Sequence, residues 1–447
     1  MNIYCSALLL LSGLMPMMAF TASASTTHEF SLDNGLKVVV REDHRAPVAT
    51  SQLWIKVGSS QEPPGQSGLS HALEHMLYQG SSKTCAGEAS AILERLGAEE
   101  NAVTSNDYTA YYQTLAPDHL GVAFELMADL MTTAHLRTES FATEIEVIKQ
   151  ERRERTDDAP QGLAMERLQA IAFPSSAHAT PTIGWMHDLQ RMSATQLREW
   201  YQRWYAPNNA TLVIVGDVSL GQIKPLVERY FGDIPRKTLP EVYAPLELAE
   251  PGERKITLSQ AIHAPQLLMS FNLPSLTTAP DRRTVQALRL LDILLAGSNS
   301  ARLKKHLQFN EVLFSQISSG YDPFNRGDSL LLLSAQLNSH QQITLDQAQA
   351  RIWQVIEQLK TTPIDPQELE RARTLLIASQ VYQQDSITEQ ATRMGTLESI
   401  GLSWRLMEED IETLNQVSAK DIQQAAVTYL TRQRMSVAHL LPENSHE

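Results

Sequence analysis

The sequence predicts an α+β fold made of two similar α/β-sandwich halves, in each of which helices cover an antiparallel-rich sheet. Three observations lead to this prediction. Segments with the period of strands and segments with the period of helices occur together from residue 30 onwards. A stretch rich in proline and charge, which we assign as a linker at residues 239–254, separates two parts of the chain. The order of elements before this linker is repeated after it.

We interpret residues 1–24 as a secretory signal peptide. The apolar stretch 6–20 is too short to span a membrane comfortably and is interrupted by Pro16, and Ala22-Ser23-Ala24 has the small residues of a cleavage site. We therefore expect an exported chain, periplasmic if the source is bacterial, with no stable membrane anchor. After cleavage Cys85 would be the only cysteine, which excludes an internal disulfide.

The first half, residues 25–238, begins with a turn signal at Asp33-Asn34-Gly35. The two segments of strand character that follow it, residues 36–41 and 48–57, predict a first hairpin. The predicted strands are residues 36–41 and 48–57, and then a strand within 101–115 that has a loop before it. The predicted helices begin at about residue 68 and continue at 86–96, 117–133, 140–155 and 219–231.

The second half, residues 255–447, has the same succession of elements. Its predicted strands are residues 255–259, 266–272, 313–319, 329–337 and 435–441. Its predicted helices are residues 281–307, interrupted at Gly297, and then 342–360, 366–384, 387–400 and 418–430. The histidine motif described next has no counterpart in this half.

The residues that carry chemistry lie in His71-Ala72-Leu73-Glu74-His75. Side chains four positions apart share one face of a helix, so His71 and His75 can bind one metal ion. Two neutral histidines and a carboxylate, with a fourth position for water, form a common catalytic zinc site, and Glu74 is placed to take that water's proton. The order His-x-x-Glu-His is a zinc-protease signature. The alternative is a surface helix that happens to carry two histidines.

A third metal ligand must come from outside this pair. The helix predicted at residues 140–155 carries several glutamates, and Glu144 and Glu151 are seven positions apart and share a face. The alternative is an ordinary solvated face of charged side chains. Spacing alone does not choose among Glu144, Glu146, Glu151 and Glu154.

The net charge of the chain bears on whether it binds nucleic acid. The formal net charge is -14 and the sequence pI is about 5.4, which argues against a nucleic-acid-binding surface. Hydrophobic residues make up 43% of the chain, enough for buried cores in more than one domain.

The chain resembles the pitrilysin/insulinase-type zinc peptidases, especially the short branch that includes the mitochondrial processing peptidase and its bacterial relatives. The resemblance implies a clamshell of two similar halves and one Zn²⁺ per chain, held in the first half. It rests on residues 68–78, 97–112, 144–153, 181–185 and 204–218.

The resemblance also implies a role for individual residues. It places the third zinc ligand on Glu151 and gives Glu144 a supporting role behind the ligands. A peptide substrate would add to an edge strand through backbone hydrogen bonds. The implied site has His71, His75 and Glu151 as metal ligands, Glu74 as general base, Glu144 as support, and Asn101, Ala102 and Val103 as substrate-binding residues.

One position in the second half departs from the family pattern. Self-sufficient members and zinc-free partner subunits carry an Arg and, seven residues later, a Tyr that hold the substrate backbone. The chain has Gln308 and Ser315 there, with Arg302 and Tyr321 as the side chains that could compensate. We therefore expect a zinc-bearing subunit that needs a related zinc-free partner; a homodimer or a self-sufficient monomer is the alternative.

The predicted function is a zinc metalloendopeptidase that hydrolyses peptides or unfolded segments. The competing hypothesis is a non-catalytic peptide-binding or scaffold protein of the same fold. A scaffold has no need of two histidines, a third ligand and a base together, which favours the enzyme. A zinc-storage protein is a third hypothesis, and it would not need a general base beside its ligands.

Overall fold

The computed structural model describes residues 26–443, and the predicted signal peptide lies outside the described residues. In the first half, the strands are β1 (Thr27–Ser31), β2 (Lys37–Glu42), β3 (Ala49–Ile55), β4 (Glu99–Thr104), β5 (Thr109–Leu115) and β6 (Ala210–Gly216). The helices are α1 (Leu69–Leu77), α2 (Glu88–Arg95), α3 (Leu120–Thr133), α4 (Thr138–Arg152), α5 (Pro160–Ala172), α6 (Met186–Leu189), α7 (Ala194–Trp204) and α8 (Leu220–Phe231).

The second half follows a segment with neither helix nor strand, residues 235–253. Its strands are β7 (Arg254–Gln260), β8 (Gln266–Leu273), β9 (Phe314–Tyr321), β10 (Ser329–Leu337) and β11 (Met435–Pro442). Its helices are α9 (Arg282–Asp292), α10 (Leu345–Thr361), α11 (Pro366–Gln383), α12 (Ile387–Ser399), α13 (Leu406–Asn415) and α14 (Ala419–Tyr429).

The two sheets have the same strand pattern. The first sheet has the order β1-β2-β6-β3-β5-β4 and the second has the order β7-β11-β8-β10-β9. In each sheet the last strand of the half lies between a parallel and an antiparallel neighbour, and a hairpin forms the far edge. This repetition, with helices packed on both sheets, confirms the predicted α+β fold of two similar halves.

Two local predictions are wrong, and a third is refined. The hairpin predicted between residues 36–41 and 48–57 does not form, because β6 lies between β2 and β3; the first hairpin joins β1 to β2 around Asn34 and Gly35. The region 101–115 contains two strands rather than one, because the hydroxyl of Ser105 accepts hydrogen bonds from the backbone of Asp107 and Tyr108 and turns the chain. The interruption predicted at Gly297 is confirmed, but the helix on either side is partly π-helical: α9 continues as a π-helical turn at Ile293–Gly297, and a second π-helical segment follows at Lys304–Asn310.

Each half contributes a helix to the sheet of the other. Helix α12 of the second half packs on the first sheet, where Met394 lies in a buried cluster with Trp54 and Val213. Helix α5 of the first half packs on the second sheet, where Leu168 and Leu440 share another buried cluster. The halves therefore hold one another in place through apolar contacts on both sheets.

The contact between α12 and the first sheet depends on the absence of a side chain at Gly395. A Cβ atom built there would lie 2.0 Å from the Trp54 ring, so Gly395→Ala forces α12 away from β3. We expect the free energy of unfolding to fall by about 1–3 kcal/mol, as for other overpacked cores. Urea unfolding measures it. The matched control is Gly221→Ala in α8, where nothing lies within 4 Å of the new atom, and equal losses in both variants would contradict the prediction.

Candidate metal centre

Helix α1 is anchored at its first turn. Gly68 has a φ of 90°, and a Cβ atom there would lie 2.7 Å from the carbonyl oxygen of Ile183. The carboxylate of Glu62 accepts hydrogen bonds from the backbone N–H groups of Gly68 (2.7 Å) and Ser70 (2.6 Å), which are free at a helix N-terminus. One side of α1 faces the core and is buried; it consists of Leu69, Ala72, Leu73 and Met76. The opposite side of the helix faces α4 and β4.

Because Glu62 satisfies two backbone N–H groups, its removal should weaken α1. We expect Glu62→Ala to lower the free energy of unfolding by about 2 kcal/mol, the upper end for loss of a helix cap. Chemical denaturation of the metal-free chain measures this loss. Glu94→Ala, on the exposed part of α2, is the control and should change stability by less than about 0.5 kcal/mol. Similar stability of the two variants would contradict the capping role.

The packing of α4 against α1 brings Glu151 to both histidines. Glu151 Oε2 lies 3.7 Å from His71 Nε2 and 3.3 Å from His75 Nε2, and the three ligand atoms all lie within 4.8 Å of one another. Tetrahedral bonds of about 2.0–2.2 Å from zinc to N and O would separate ligand atoms by roughly 3.3–3.6 Å. The donor set of two imidazoles and one carboxylate, and its spacing, therefore fit Zn²⁺.

The charges around the cluster favour metal-binding forms of His71 and Glu151. Burial, reinforced by His75, lowers the pKa of His71 to about 4, so this ring is neutral at pH 7. The hydrogen bond with His75 lowers the pKa of Glu151, and the Arg155 guanidinium contacts its second oxygen at 2.5 Å. Burial lowers the pKa of His75, but the bonds and charges of Glu151 and Glu144 outweigh it and raise the pKa overall.

Glu74 lies on α1 between the histidines and meets the end of β4. Burial raises its pKa, which suits a group that must take and release a proton. The hydroxyl of Thr104 donates a hydrogen bond to Glu74 Oε2 and so holds the carboxylate in one orientation. Thr104 is thus a residue of this site that motif reasoning did not single out.

Glu144 contacts the side of His75 that faces away from Glu151. Its Oε2 lies 3.3 Å from His75 Nδ1, and its Oε1 accepts a 2.8 Å hydrogen bond from the side chain of Gln79. A carboxylate on the second nitrogen of a ligating histidine fixes the ring and its tautomer. The other two glutamates bond to near neighbours along the chain: Glu146 accepts from Lys149, and Glu154, just after the end of α4, accepts from Gln150. Among the described residues, Glu151 is thus the one of the four glutamates that lies close to both histidines.

Strand β4 forms the edge of the first sheet beside this cluster. It pairs only with β5 among the described strands, and Val103 is 43% exposed. The N–H of Ala102 bonds to the side chain of its neighbour Asn101 at 2.9 Å instead of to a strand. An edge of this kind offers backbone groups to an added peptide strand.

In the second half, Gln308 and Ser315 are close to each other, with Gln308 Nε2 donating to the Ser315 carbonyl at 3.2 Å. The residues considered as substitutes are engaged elsewhere. Arg302 makes two hydrogen bonds to Glu368, at 2.8 and 2.7 Å, and the Tyr321 hydroxyl donates to the carbonyl of Pro274 at 2.5 Å. The Arg302 guanidinium and the Tyr321 hydroxyl are therefore both hydrogen-bonded within the second half.

Comparison with known proteins gives consistent matches along the chain. The family model described as Insulinase (Peptidase family M16) matches residues 37–184, and the model described as Peptidase M16 inactive domain matches residues 191–376. The chain is 28% identical over 347 residues to a protein named Zinc protease PqqE from Helicobacter pylori, covering 77% of each. It is 25% identical over 393 residues to the uncharacterized zinc protease YmxG of Bacillus subtilis, covering 88% of this chain and 93% of YmxG.

A solved structure has the same fold over nearly the whole chain. The crystal structure of a protease from Helicobacter pylori superposes with a TM-score of 0.87 at 25% identity, covering 94% of this chain and 100% of that one. The agreement extends across both halves and is not confined to the half that carries the histidine motif.

Proposed function

The chain belongs to the M16 peptidase family, and on this basis we propose that it is a zinc metalloendopeptidase that acts on peptides or unfolded segments. One observation carries the proposal. His71, His75 and Glu151 converge within 4.8 Å of one another, and Glu74 projects from the same helix as the two histidines. A site that only stored zinc would not require a half-buried carboxylate beside its ligands.

In this proposal His71, His75 and Glu151 would hold one Zn²⁺ per chain. When bound there, zinc would supply a water of lowered pKa and a Lewis acid for a peptide carbonyl. Glu74 takes the proton of the attacking water and later passes it to the nitrogen of the leaving amine, which keeps the proton balance of hydrolysis. Thr104 holds Glu74 through its hydroxyl.

The substrate-binding part of the proposal concerns β4. A peptide that adds beside Asn101, Ala102 and Val103 would run past Thr104, which contacts Glu74, and so bring its backbone to the base. Recognition through backbone groups requires an extended segment, which folded proteins rarely expose. This supports peptides and unfolded chains as the substrate class.

The test is cleavage of a mixed peptide library by the zinc-loaded chain without residues 1–24. We expect cleavage, by the chain alone or once a zinc-free relative is added, that a chelator removes and that added zinc restores. If the folded, zinc-bound chain cleaves nothing, even with a zinc-free relative added, the scaffold hypothesis replaces the enzyme.

We further propose that this chain is the zinc-bearing subunit of a two-subunit enzyme, with a related zinc-free partner that supplies an Arg and a Tyr. The proposal is supported by Gln308 and Ser315, which stand where the family pattern has the Arg and the Tyr. The two side chains that could compensate, those of Arg302 and Tyr321, are hydrogen-bonded to other groups. The native protein should co-purify with a similar-sized chain that lacks the histidine pair. Full activity of a homodimer or monomer would contradict it.

We also infer that the protein is exported, into the periplasm if the source is bacterial. The inference rests on the composition of residues 1–24. Within residues 26–443, every helix falls short of the length and apolar character needed to cross a membrane. N-terminal sequencing of protein from the cell-envelope fraction should give a start near residue 25, and an unprocessed cytoplasmic protein would contradict the inference.

A further inference from the structure

A loop of the second half contacts the turn that follows the edge strand β4 of the first half. The turn, residues 105–108, joins β4 to β5, and the loop, residues 322–328, joins β9 to β10. Within the turn, Ser105 Oγ accepts from the backbone N–H groups of Asp107 and Tyr108, and the Ser105 N–H donates to the Tyr108 carbonyl at 2.8 Å. The turn is therefore closed by its own hydrogen bonds, and Asp107 is the one residue of the turn that is buried.

Arg326 of this loop binds the turn through both its backbone and its side chain. Its backbone N–H donates to Asp107 Oδ2 at 2.8 Å, and its Nη2 donates to the Asp107 carbonyl at 3.1 Å. The same Nη2 donates to the carbonyl of Ser399, the last residue of α12, at 2.9 Å. The guanidinium thus joins the turn to two segments of the second half.

Asp107 is ionised and buried at this junction. It is 2% exposed, and its Oδ1 accepts from the Ser60 hydroxyl at 3.0 Å and faces His178 Nε2 at 3.5 Å. Burial raises the pKa of Asp107, but the bonds and charges of His178 and Arg326 outweigh it and lower the pKa overall. A buried carboxylate is costly to leave without its positive partner, so loss of the Arg326 side chain should disturb the turn.

The loop that carries Arg326 is fixed within the second half. The Thr277 hydroxyl lies within hydrogen-bond distance of the carbonyl oxygens of Asn325 and Arg326, at 2.9 and 2.8 Å. At the next residue, a Cβ atom on Gly327 would lie 2.3 Å from the Pro245 carbonyl oxygen, so the loop also packs directly on the segment between the halves. Arg326 is therefore held from both of its neighbours.

The turn in its own half leads directly to the proposed base. Thr104 is the last residue of β4, immediately before the turn, and its hydroxyl donates to Glu74 Oε2. Thr104 also pairs with Thr109, so the turn closes the hairpin at the position of Thr104. A shift of the turn would move the Thr104 hydroxyl relative to Glu74, and a catalytic group is effective only in a narrow range of positions.

We propose that Arg326 is a positioning residue for Glu74, acting through Asp107 and Thr104, so that the second half takes part in catalysis although it holds none of the proposed metal ligands. The effect on rate rests on the proposed zinc peptidase function, whereas the effect on the turn does not. An ion pair that only stabilised the fold would change neither the position of Glu74 nor the rate of the folded, zinc-bound chain.

The kinetic test uses Arg326→Met and Asp107→Asn in the zinc-loaded chain, with a zinc-free relative added if cleavage requires it. We expect kcat at pH 7 to fall at least about threefold, and no further than in Thr104→Val, while KM changes less than about twofold and zinc stays at one ion per chain. Added to Thr104→Val, either substitution should have little further effect, because the link to Glu74 is already broken. Arg326→Lys keeps the charge and should recover part of the rate.

Hydrogen exchange of the zinc-free chain tests the same link without any activity. In Arg326→Met and Asp107→Asn the amides of residues 104–109 should exchange at least about tenfold faster than in the wild type. Arg405→Met is the matched control. It removes another ion pair between the halves, at 2.6 Å to Glu29 of β1, and β1 is at the opposite edge of the first sheet from β4. This control should change neither the exchange of residues 104–109 nor kcat.

Unchanged exchange at residues 104–109 in the folded variants would overturn the proposal, whether or not the wild type cleaves peptides. Faster exchange with an unchanged kcat would overturn it as well, and so would a fall in kcat that adds in full to that of Thr104→Val. A wild-type chain that cleaves nothing would count against the peptidase function alone, and the exchange would then decide whether Arg326 holds the turn. Asp107→Asn remains informative if Arg326→Met fails to fold.

Discussion

Glu74→Gln is expected to abolish peptide hydrolysis while the chain keeps its zinc. Glutamine has nearly the same shape but cannot accept the proton of the attacking water, and loss of a general base costs about 10²–10⁴-fold in rate. His71, His75 and Glu151 are untouched, so zinc should still bind at one ion per chain. Cleavage rate and zinc content measured on the same preparation separate these two effects. Normal turnover in the zinc-bound variant would exclude Glu74 as the base.

Thr104→Val provides the matched control because it removes only the hydrogen bond to Glu74. That bond stabilises the ionised carboxylate, while burial raises its pKa, so without Thr104 the pKa should rise further. The base must be ionised to act. The acid limb of the pH profile of kcat/KM should therefore move to higher pH, with activity retained at high pH. An unchanged profile would show that Thr104 does not position the base.

The sequence predicted the fold where side-chain periodicity follows burial. Strands β3 and β8 are almost wholly buried, and their apolar runs were assigned correctly. Strand β6 is buried to the same degree, but it was not assigned as a strand. Strand β4 was harder, because it lies at the sheet edge and its exposed residues resemble a loop. Strand β6 pairs with β2 and β3 although it lies far from both in the sequence. No local pattern in these strands predicts such a long-range pairing.

The residues of the candidate site also differ in how far the sequence predicts them. The histidine pair follows from helical geometry within one short motif, whereas the choice of Glu151 over its neighbours depends on how α4 packs against α1. Arg155, four residues after Glu151, is a helical pair that spacing could have found. Thr104 has no such signal, because its partner is thirty positions away in the chain.

Glu151→Gln is expected to release zinc and, with it, all zinc-dependent cleavage. A neutral amide is a poor zinc ligand, and the carboxylate oxygen that faces both histidines is lost. Loss of a group behind a ligand already weakens metal binding by about 10–100-fold, so loss of the ligand itself should weaken it by more than about 100-fold. Competition with a chromogenic chelator measures the affinity.

The same substitution at two other glutamates of α4 should weaken zinc binding to different degrees. Glu144→Gln should weaken zinc binding by about 10–100-fold, because Glu144 contacts His75 rather than the metal position. Glu146→Gln should leave it unchanged, since this side chain is exposed and bonds only to Lys149. The helix, the residue type and the substitution are the same in all three variants, so only position relative to the histidines can produce the order. Equal affinities across the series would mean that the third ligand comes from another element.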